Sequence, residues 1–439
     1  MLRSTFLRYA ASSALAATAR AGRRPRYGGV LRLASGRESD LLARNGRLAW
    51  AIHSLVFEAL LRFGEADRLE PVLATDWRLA YGPRREWAFT LRPGIRFHDG
   101  SLCTKSAVAA SLDGEGLRSQ SGSGSEVVAA STTPVPLFRE LAEARRVVRR
   151  DSDSPIATGS FRIVRENAQA PAALVAFEDH WAGRPFLNEI SLRPGVEDPA
   201  LSVELGNADL ARIEASEAPR AAQRGIRLWR SKPSELLLLQ VDAAHQKLAQ
   251  ALDLAVDRDA IHRAMLQGEG APAAALLPDW MTGYGFLFPA RRDLAAARGL
   301  AAGFPSIHLQ FDSTDRLLNT VSSRLSLDLR PLGIAIAPRE AGTKATIRLR
   351  RIRLRSVQPA HALRGLAEDL GIPLDAYLRN AQGVFDAERQ LISRGGLIAL
   401  AHIPDIYAVS NRVRSITARP VDSLGRLRLD AAWLDEANR

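Results

Sequence analysis

The chain has 439 residues, of which 46% are hydrophobic and 25% are charged, and its formal net charge is +12. At roughly 150 residues per domain, this length predicts two to three domains with a large apolar core. Cys103 is the single cysteine, so an intramolecular disulfide framework is excluded, although export is not. Four of the 60 basic residues are lysine, and the arginines are scattered along the chain, which favours a solvated basic surface.

The N-terminus has the pattern of an export signal. Two arginines near the start precede a short run of small and apolar residues that ends at Ala19 in an A-x-A site. This pattern predicts a signal peptide over residues 1–19, followed by a flexible basic segment over residues 20–26. No other stretch of about 18 apolar residues occurs, so we expect a chain that does not span a membrane.

The first half of the chain contains mostly strand patterns. Apolar residues at helical spacing predict one amphipathic helix at 48–63. The predicted strands lie at 28–34, 87–91, 96–98, 159–164, 173–177 and 187–193. A serine- and glycine-rich segment at 114–131 predicts a mobile surface loop.

The second half mixes strands and helices, and the whole chain is therefore predicted to be of the α/β class. The predicted strands lie at 236–241, 307–311, 334–337, 347–354 and 397–400. The predicted helices lie at 249–266, 317–329, 360–370 and 374–382. In the strand at 347–354, arginine alternates with isoleucine and leucine, which indicates a face of arginines in contact with solvent.

The sequence contains no motif that names an enzyme. It lacks an H-E-x-x-H pair, a glycine-rich phosphate loop and a G-x-S-x-G nucleophile turn. The eight histidines lie far apart, and none has a second histidine at the spacing of a metal site. We therefore expect no catalytic residue, no metal and no cofactor.

Several segments, in order, resemble one family along most of the chain. The most specific reads WAFTLRPGIRFHDG at 87–100, where the family has F-x-L-R-x-G-V-x-F-H-D-G. The other matching segments lie at 27–32, 55–60, 69–77, 157–162, 179–185, 252–261 and 398–404. In this order and spacing they resemble the peptide/nickel-type extracellular solute-binding proteins of bacterial ABC importers, which are solute-binding proteins of family 5.

The resemblance implies a two-lobed clamshell that binds a peptide or similar small solute in the periplasm and delivers it to the permease of an ABC transporter. It implies a discontinuous first lobe over 27–235 and 397–439, with a reduced small subdomain at about 51–155. The second lobe would cover residues 236–396. We expect a monomer, with neither nucleic acid nor a catalytic centre involved.

The sequence departs from the family where peptide binders often carry an acidic residue for the amino terminus of the peptide. Residues 348–355 read RLRRIRLR there, which would favour an anionic solute if these arginines faced the cleft. The alternative is that they face solvent. From their positions, the candidate ligand-binding residues are Trp280, Tyr284, Arg350, Arg353, His402 and Tyr407.

A second class of function remains open at this stage. The charge of +12 and the arginines of residues 348–355 also fit a basic protein that binds nucleic acid or another polyanion. That function would require basic residues gathered on one face, with aromatic residues between them. The export signal and the scattered arginines favour the solute-binding protein.

Overall fold

The computed structural model describes residues 24–36, 47–64, 68–79, 86–114, 117–131, 146–149, 156–164, 172–339, 345–373 and 382–435. The strands are β1 (Val30–Ala34), β2 (Leu61–Phe63), β3 (Leu69–Pro71), β4 (Ala74–Leu79), β5 (Trp87–Leu91), β6 (Leu117–Ser121), β7 (Glu126–Ser131), β8 (Phe161–Val164), β9 (Ala173–Ala176), β10 (Glu189–Arg193), β11 (Leu210–Ile213), β12 (Arg227–Val241), β13 (Ala271–Pro272), β14 (Ser306–Gln310), β15 (Ala335–Arg339), β16 (Ile347–Arg353), β17 (Leu397–Val409), β18 (Val413–Ser415) and β19 (Ala432–Leu434). The helices are α1 (Arg47–Val56), α2 (Lys105–Leu112), α3 (Pro199–Glu204), α4 (Ala218–Gln223), α5 (Gln246–Ala255), α6 (Arg258–Ala260), α7 (Asp279–Thr282), α8 (Leu294–Ala301), α9 (Arg316–Leu329), α10 (Pro359–Leu370) and α11 (Val384–Gly395).

Eleven strands form one mixed sheet, which confirms the α/β prediction. The order of ten of them is β15-β14-β16-β12-β17-β11-β1-β10-β9-β8, and β13 pairs separately with β17. We call β1 and β8–β11 with their helices the first lobe, and β13–β16 with theirs the second lobe. The long strands β12 and β17 run through both lobes. Residues 397–403 of β17 pair with 235–240 of β12, whereas residues 406–409 pair with β11 of the first lobe.

The predicted return to the first lobe at residue 397 therefore falls inside the second lobe. Leu397 pairs with Gln240, and it packs with Leu238 and Leu363 in the core of the second lobe. The crossing occurs further along β17, where β12 has register shifts around Pro233 and Glu235. We call this stretch, where both strands pass between the lobes, the junction.

The two faces of the sheet are covered differently. On one face, a single apolar core continues from α3 and α4 of the first lobe to α5, α8 and α9 of the second. On the other face, the apolar side chains form separate cores. Leu48 and Leu55 of α1 pack on the first lobe, and Leu363 and Leu366 of α10 pack on the second. The lobes are therefore joined along one face and separate along the other.

The predicted loop at 114–131 is wrong, because residues 117–131 form the hairpin β6–β7. This hairpin completes a four-stranded sheet in the order β4-β5-β7-β6, on which α2 packs. Leu117, Val127 and Ala129 are buried in the core of this small sheet, whereas Val128 and Ala130 are only partly buried. Their period of two is the strand signal that the many serines obscured.

Two predicted helices are shorter than expected. The helix predicted at 48–63 ends at Val56, and Leu61 and Phe63 instead point the same way from strand β2 into the core of the small sheet. The helix predicted at 249–266 ends at Ala255. Asp257 interrupts it by capping α6, because its Oδ1 accepts a hydrogen bond of 2.9 Å from the amide of Ala260.

Other predictions differ only locally or cannot be compared. Residues 96–98 make a single bridge, from Arg96 to Leu102, and no strand. The predicted signal peptide at 1–19, part of the flexible segment at 20–26 and nearly all of the helix at 374–382 lie outside the described residues.

Candidate functional site

Charged side chains converge at the junction. Arg212 lies on β11 of the first lobe, Glu235 on β12, Arg351 and Arg353 on β16 of the second lobe, and Asp405 on β17. Each of these five side chains is at most 12% exposed to solvent. A charge buried this deeply is costly unless it is paired, so the contacts among them determine whether the junction is stable.

Every one of these charges has a partner of opposite sign. Arg351 Nε donates to Glu235 Oε2 at 2.5 Å, and Arg353 Nη2 donates to Glu235 Oε1 at 2.5 Å. Arg212 Nη2 donates to Asp405 Oδ1 at 3.0 Å, and Arg353 Nη2 donates to the same oxygen at 2.9 Å. The pairs link strands of both lobes into one network.

Two further carboxylates extend the network. Arg351 Nη1 donates to Glu214 Oε2 at 2.8 Å, and it lies 3.7 Å from Asp315 Oδ2. Glu214 follows β11 of the first lobe, and Asp315 caps α9 of the second. The junction thus contains three guanidinium groups and four carboxylates.

The carboxylates keep the guanidinium groups charged. Burial alone lowers the pKa of Arg212, but the nearby charges of Asp405 and Glu235 reverse this effect and hold the pKa above its usual value. Burial likewise lowers the pKa of Arg353, and Asp405 and Glu235 raise it above its usual value. The junction is therefore a polar site whose guanidinium groups stay charged away from water.

Two tryptophans border the network. The Trp50 ring lies 5.7 Å from the guanidinium carbon of both Arg353 and Arg426, and its Nε1 donates to the carbonyl oxygen of Leu424 at 2.8 Å. Trp280 Nε1 donates to the carbonyl oxygen of Pro233 at 2.8 Å. The ammonium of Lys232 lies 4.5 Å from the centre of the Trp280 ring. Aromatic faces beside cations are a common lining of binding sites.

The structure brings two of the candidate residues to the junction, namely Trp280 and Arg353. Arg350 directly precedes Arg351 on β16. Its guanidinium group donates to Gln240 Oε1 at 3.2 Å and to the carbonyl oxygen of Asp369 at 2.7 Å. Tyr284 lies in the loop after α7, where its hydroxyl donates to the buried Glu388 at 2.8 Å. Its aromatic ring packs on Phe385.

His402 and Tyr407 lie on β17 but are buried. The Tyr407 side chain is fully enclosed, and its hydroxyl donates to the carbonyl oxygen of Gly425 at 2.7 Å. Burial lowers the pKa of His402 to about 4, partly opposed by a hydrogen bond of 3.1 Å between its Nε2 and the carbonyl oxygen of Leu276. At neutral pH the ring is uncharged, and Nε2 is the donor in that bond.

His402 also lies at the wall of a cavity in the second lobe. This cavity has a volume of about 290 Å³ and is lined by the chain between α6 and α8. Its polar lining includes Asp257, Asp259 and Arg292, and Phe288 and Leu277 contribute apolar surface. Arg292 Nη1 donates to Asp257 Oδ2 at 3.0 Å, so the charges in this wall are also paired.

The sequence analysis missed Arg212, Glu214, Glu235 and Asp405. The available signal was an acidic residue inside or directly beside a long apolar run. Glu235 precedes four leucines, and Asp405 lies within the run IPDIYAV. A carboxylate in such a strand is buried when the strand is buried, and it then needs a cationic partner.

No metal site or membrane span is found in the described part of the chain. Its histidine, cysteine, aspartate and glutamate side chains form no group of three or more that could hold a metal ion. Its helices include none long and apolar enough to cross a membrane.

The comparison with protein families gives a match over residues 125–306. The matching family is described as bacterial extracellular solute-binding proteins, family 5, middle segment. The matched residues run from the hairpin β6–β7 to β14, and they include β12 with Glu235. The match covers less than half of the chain, and over this stretch the chain is similar to the family 5 solute-binding proteins. Its mixed α/β sheet is the fold of two-lobed binding proteins of family 5.

One curated relative is the glutathione-binding protein GsiB of Pectobacterium atrosepticum, which is 24% identical over 300 residues. The match covers 60% of this chain and 58% of that protein. A second is Protein XP55 of Streptomyces lividans, which is 26% identical over 278 residues and is covered over 51% of its length. The chain thus spans between half and three-fifths of the curated relatives it matches.

Solved structures of family 5 proteins resemble the whole fold. The oligopeptide-binding protein AppA of Bacillus subtilis, in complex with a nonapeptide, superposes with a TM-score of 0.73 at 13% identity. That match covers 94% of this chain and 100% of AppA. NikZ of Campylobacter jejuni, in complex with Ni(L-His), gives a TM-score of 0.75 at 19% identity and covers 92% and 99% of the two chains. At these identities the likeness shows the fold alone.

Proposed function

We propose that this protein is the extracytoplasmic substrate-binding component of a bacterial ABC importer. In this proposal it binds a peptide or similar small solute between its lobes and delivers it to a membrane permease. The supporting observation is the junction, where only β12 and β17 continue from lobe to lobe beneath a network of paired charges. The cores of the two lobes are separate on one face of the sheet, so we propose that the lobes open on that face about these two strands, while the continuous core on the other face holds them together.

The chemistry of the junction favours a solute with both an amine and a carboxylate. The preference for an anionic solute depended on Arg348, Arg350, Arg353 and Arg355 facing the cleft. Of these, Arg353 reaches the junction, whereas Arg348 donates to Gln310 and Arg355 to Asp369. Because Glu235 and Asp405 pair with all three arginines of the junction, a zwitterionic peptide can exchange its own termini for these internal pairs. The two carboxylates offer the acidic partner that residues 348–355 lack.

The remaining parts of the proposal concern the cell. The matched family is described as extracellular, and we propose that residues 1–19 direct the chain to the periplasm, where it acts as a monomer without catalytic activity. Binding of nucleic acid is the alternative that the charge of +12 raises. The fold favours solute binding, because the fold is that of binding proteins and the central arginines are paired with carboxylates.

A thermal-shift screen followed by calorimetry tests the proposal. The panel contains a tripeptide, the same peptide with its amine acetylated, the same peptide with its carboxylate amidated, citrate and a DNA duplex. We expect the unmodified peptide to raise the melting temperature, because a ligand that binds the folded state stabilises it by mass action. Either blocked peptide should bind at least tenfold more weakly. Stabilisation by the duplex alone would contradict the proposal.

Export is tested separately. Mass spectrometry of the protein from its native host should find a mature N-terminus near Arg20, in the periplasmic fraction. An intact Met1 in the cytoplasm would contradict export while leaving the solute-binding result unaffected.

A further inference from the structure

A second group of charged residues lies at the far end of the first lobe. A groove of about 640 Å³ is bounded by the end of α3, the turn after α4 and the residues that follow β17. Three arginines line it, namely Arg32, Arg224 and Arg412. The lining begins on β17 at Val409, four residues after Asp405 of the junction, which is about 13 Å along a strand.

Two of the arginines share one carboxylate. Asp209 is fully buried at the start of β11, and its Oδ2 and Oδ1 accept hydrogen bonds from Arg32 Nε at 2.9 Å and Arg32 Nη2 at 3.0 Å. Arg412 Nη1 donates to the same Oδ1 at 3.2 Å. One negative charge therefore holds two guanidinium groups in place, and the described residues provide no second carboxylate for this trio.

The third arginine, Arg224, does not change this excess of positive charge, because it has a carboxylate partner of its own. Arg224 Nη1 donates to Glu204 Oε2 at 2.7 Å, and both side chains are more than one-third exposed. An exposed pair of this kind is weak and is readily rearranged around a ligand.

A fourth arginine adds positive charge behind the groove. Arg227 Nη2 donates to the carbonyl oxygens of Ser410 and Val413, which brings no negative charge to it. Burial and the nearby Arg414 lower the pKa of Arg227, as expected in a region of positive potential. Among the described residues, the buried Nε atoms of Arg227 and Arg412 have no hydrogen-bond partner.

We propose that this groove binds a small anion that carries a phosphate or carboxylate group, held by Arg32, Arg224 and Arg412. Planar guanidinium groups bind such oxygens in pairs of charge-assisted hydrogen bonds. Asp209 is the positioning residue, because it fixes two of the three donors before the anion arrives. The site is separate from the junction and does not depend on the proposed transport function.

Titration calorimetry on the full chain tests the site with inorganic phosphate and with citrate, against sodium chloride at equal ionic strength. We expect binding of phosphate or citrate, and a loss of at least tenfold in affinity in Arg412→Gln and in Arg224→Gln. Arg224→Gln is the safer variant for folding, since Arg224 makes an exposed pair. Arg355→Gln removes an exposed arginine of the second lobe and serves as the matched control.

Vesicles of phosphatidylcholine with and without phosphatidylglycerol distinguish a lipid headgroup from a free anion. Binding to the anionic vesicles that Arg224→Gln abolishes would assign the headgroup as the source of the phosphate. The proposal is overturned if the wild-type protein binds neither the free anions nor the vesicles above the chloride control. Equal losses in Arg355→Gln would also overturn it. Binding of solute at the junction should be unchanged in Arg224→Gln.

Discussion

Arg351 Nε of β16 and Glu235 Oε2 of the neighbouring strand β12 lie 2.5 Å apart, and each side chain is only 3% exposed. Glu235 also holds Arg353, so removing its charge leaves two buried guanidinium groups short of a partner. We expect Glu235→Gln to lower the free energy of unfolding by about 3 kcal/mol, measured by urea denaturation.

The control for this variant is an exposed pair of the same kind. Arg62 and Glu70 lie 3.1 Å apart with 45% and 40% of their side chains exposed. Glu70→Gln should lower the free energy of unfolding by less than about 1 kcal/mol, because solvent screens the pair. Equal losses in the two variants would show that the junction network does not stabilise the fold.

Acid should destabilise the protein through His402. Its pKa is 6.5 when exposed and about 4 in the fold, so between these values the unfolded chain binds a proton that the folded chain does not. Stability is unaffected above pH 6.5 and falls as the pH drops towards 4, by up to about 1.4 kcal/mol per pH unit. Denaturation of His402→Gln at pH 7 and pH 5 should show a smaller loss than the wild type. An identical pH dependence in the two proteins would contradict the buried, neutral histidine.

Trp280 should report on the solute. Its ring lies beside Lys232 and its indole nitrogen is anchored on Pro233 at the junction, so movement of the lobes changes its surroundings. We expect a ligand identified by the screen to change the tryptophan fluorescence, and Trp280→Phe to remove most of that change. The same variant removes the hydrogen bond that anchors the ring on Pro233, so it should also weaken binding about fivefold, which corresponds to about 1 kcal/mol.

Trp87→Phe, in strand β5 of the small sheet, is the matched control. It should leave both the fluorescence change and the affinity intact. If the signal instead disappears in Trp87→Phe and persists in Trp280→Phe, the solute contacts the small sheet and not the junction.

Gly396 begins the turn into β17 and should not tolerate a side chain. It has φ +63°, and a Cβ there would lie 2.6 Å from the carbonyl oxygen of Val241. Gly206 has a similar φ of +73°, but a Cβ there would meet nothing within 4 Å. Both alanine variants carry a backbone strain of about 1–2 kcal/mol from the positive φ. Gly396→Ala should lower the free energy of unfolding by about 1–3 kcal/mol more than Gly206→Ala, measured by thermal or chemical unfolding. Equal melting temperatures would contradict the close approach.

The sequence predicted the fold class and most of the strands, because the apolar pattern of a strand can be recognised from residues that are close together in the sequence. It could not predict that Gln240 pairs with Leu397, or that Asp405 meets Arg353, since such pairs form between segments far apart in the chain. The arginine strand shows the same limit. Alternation predicted an exposed face. Arg351 is nevertheless buried, because β16 lies inside the sheet and the guanidinium group pairs with Glu214 and Glu235.

The position of β17 in the sheet has a consequence for the folding of the chain as it is synthesised. Of the eleven strands it comes last in the chain, yet it lies between β12 and β11 at the centre of the sheet. Until residues 397–409 have been synthesised, β12 and β11 lack the strand that lies between them, and the partial chain keeps two unpaired strand edges. A ribosome that is still translating thus holds a chain that cannot yet close its sheet. For the export that we propose, this order delays completion of the fold until near the end of synthesis.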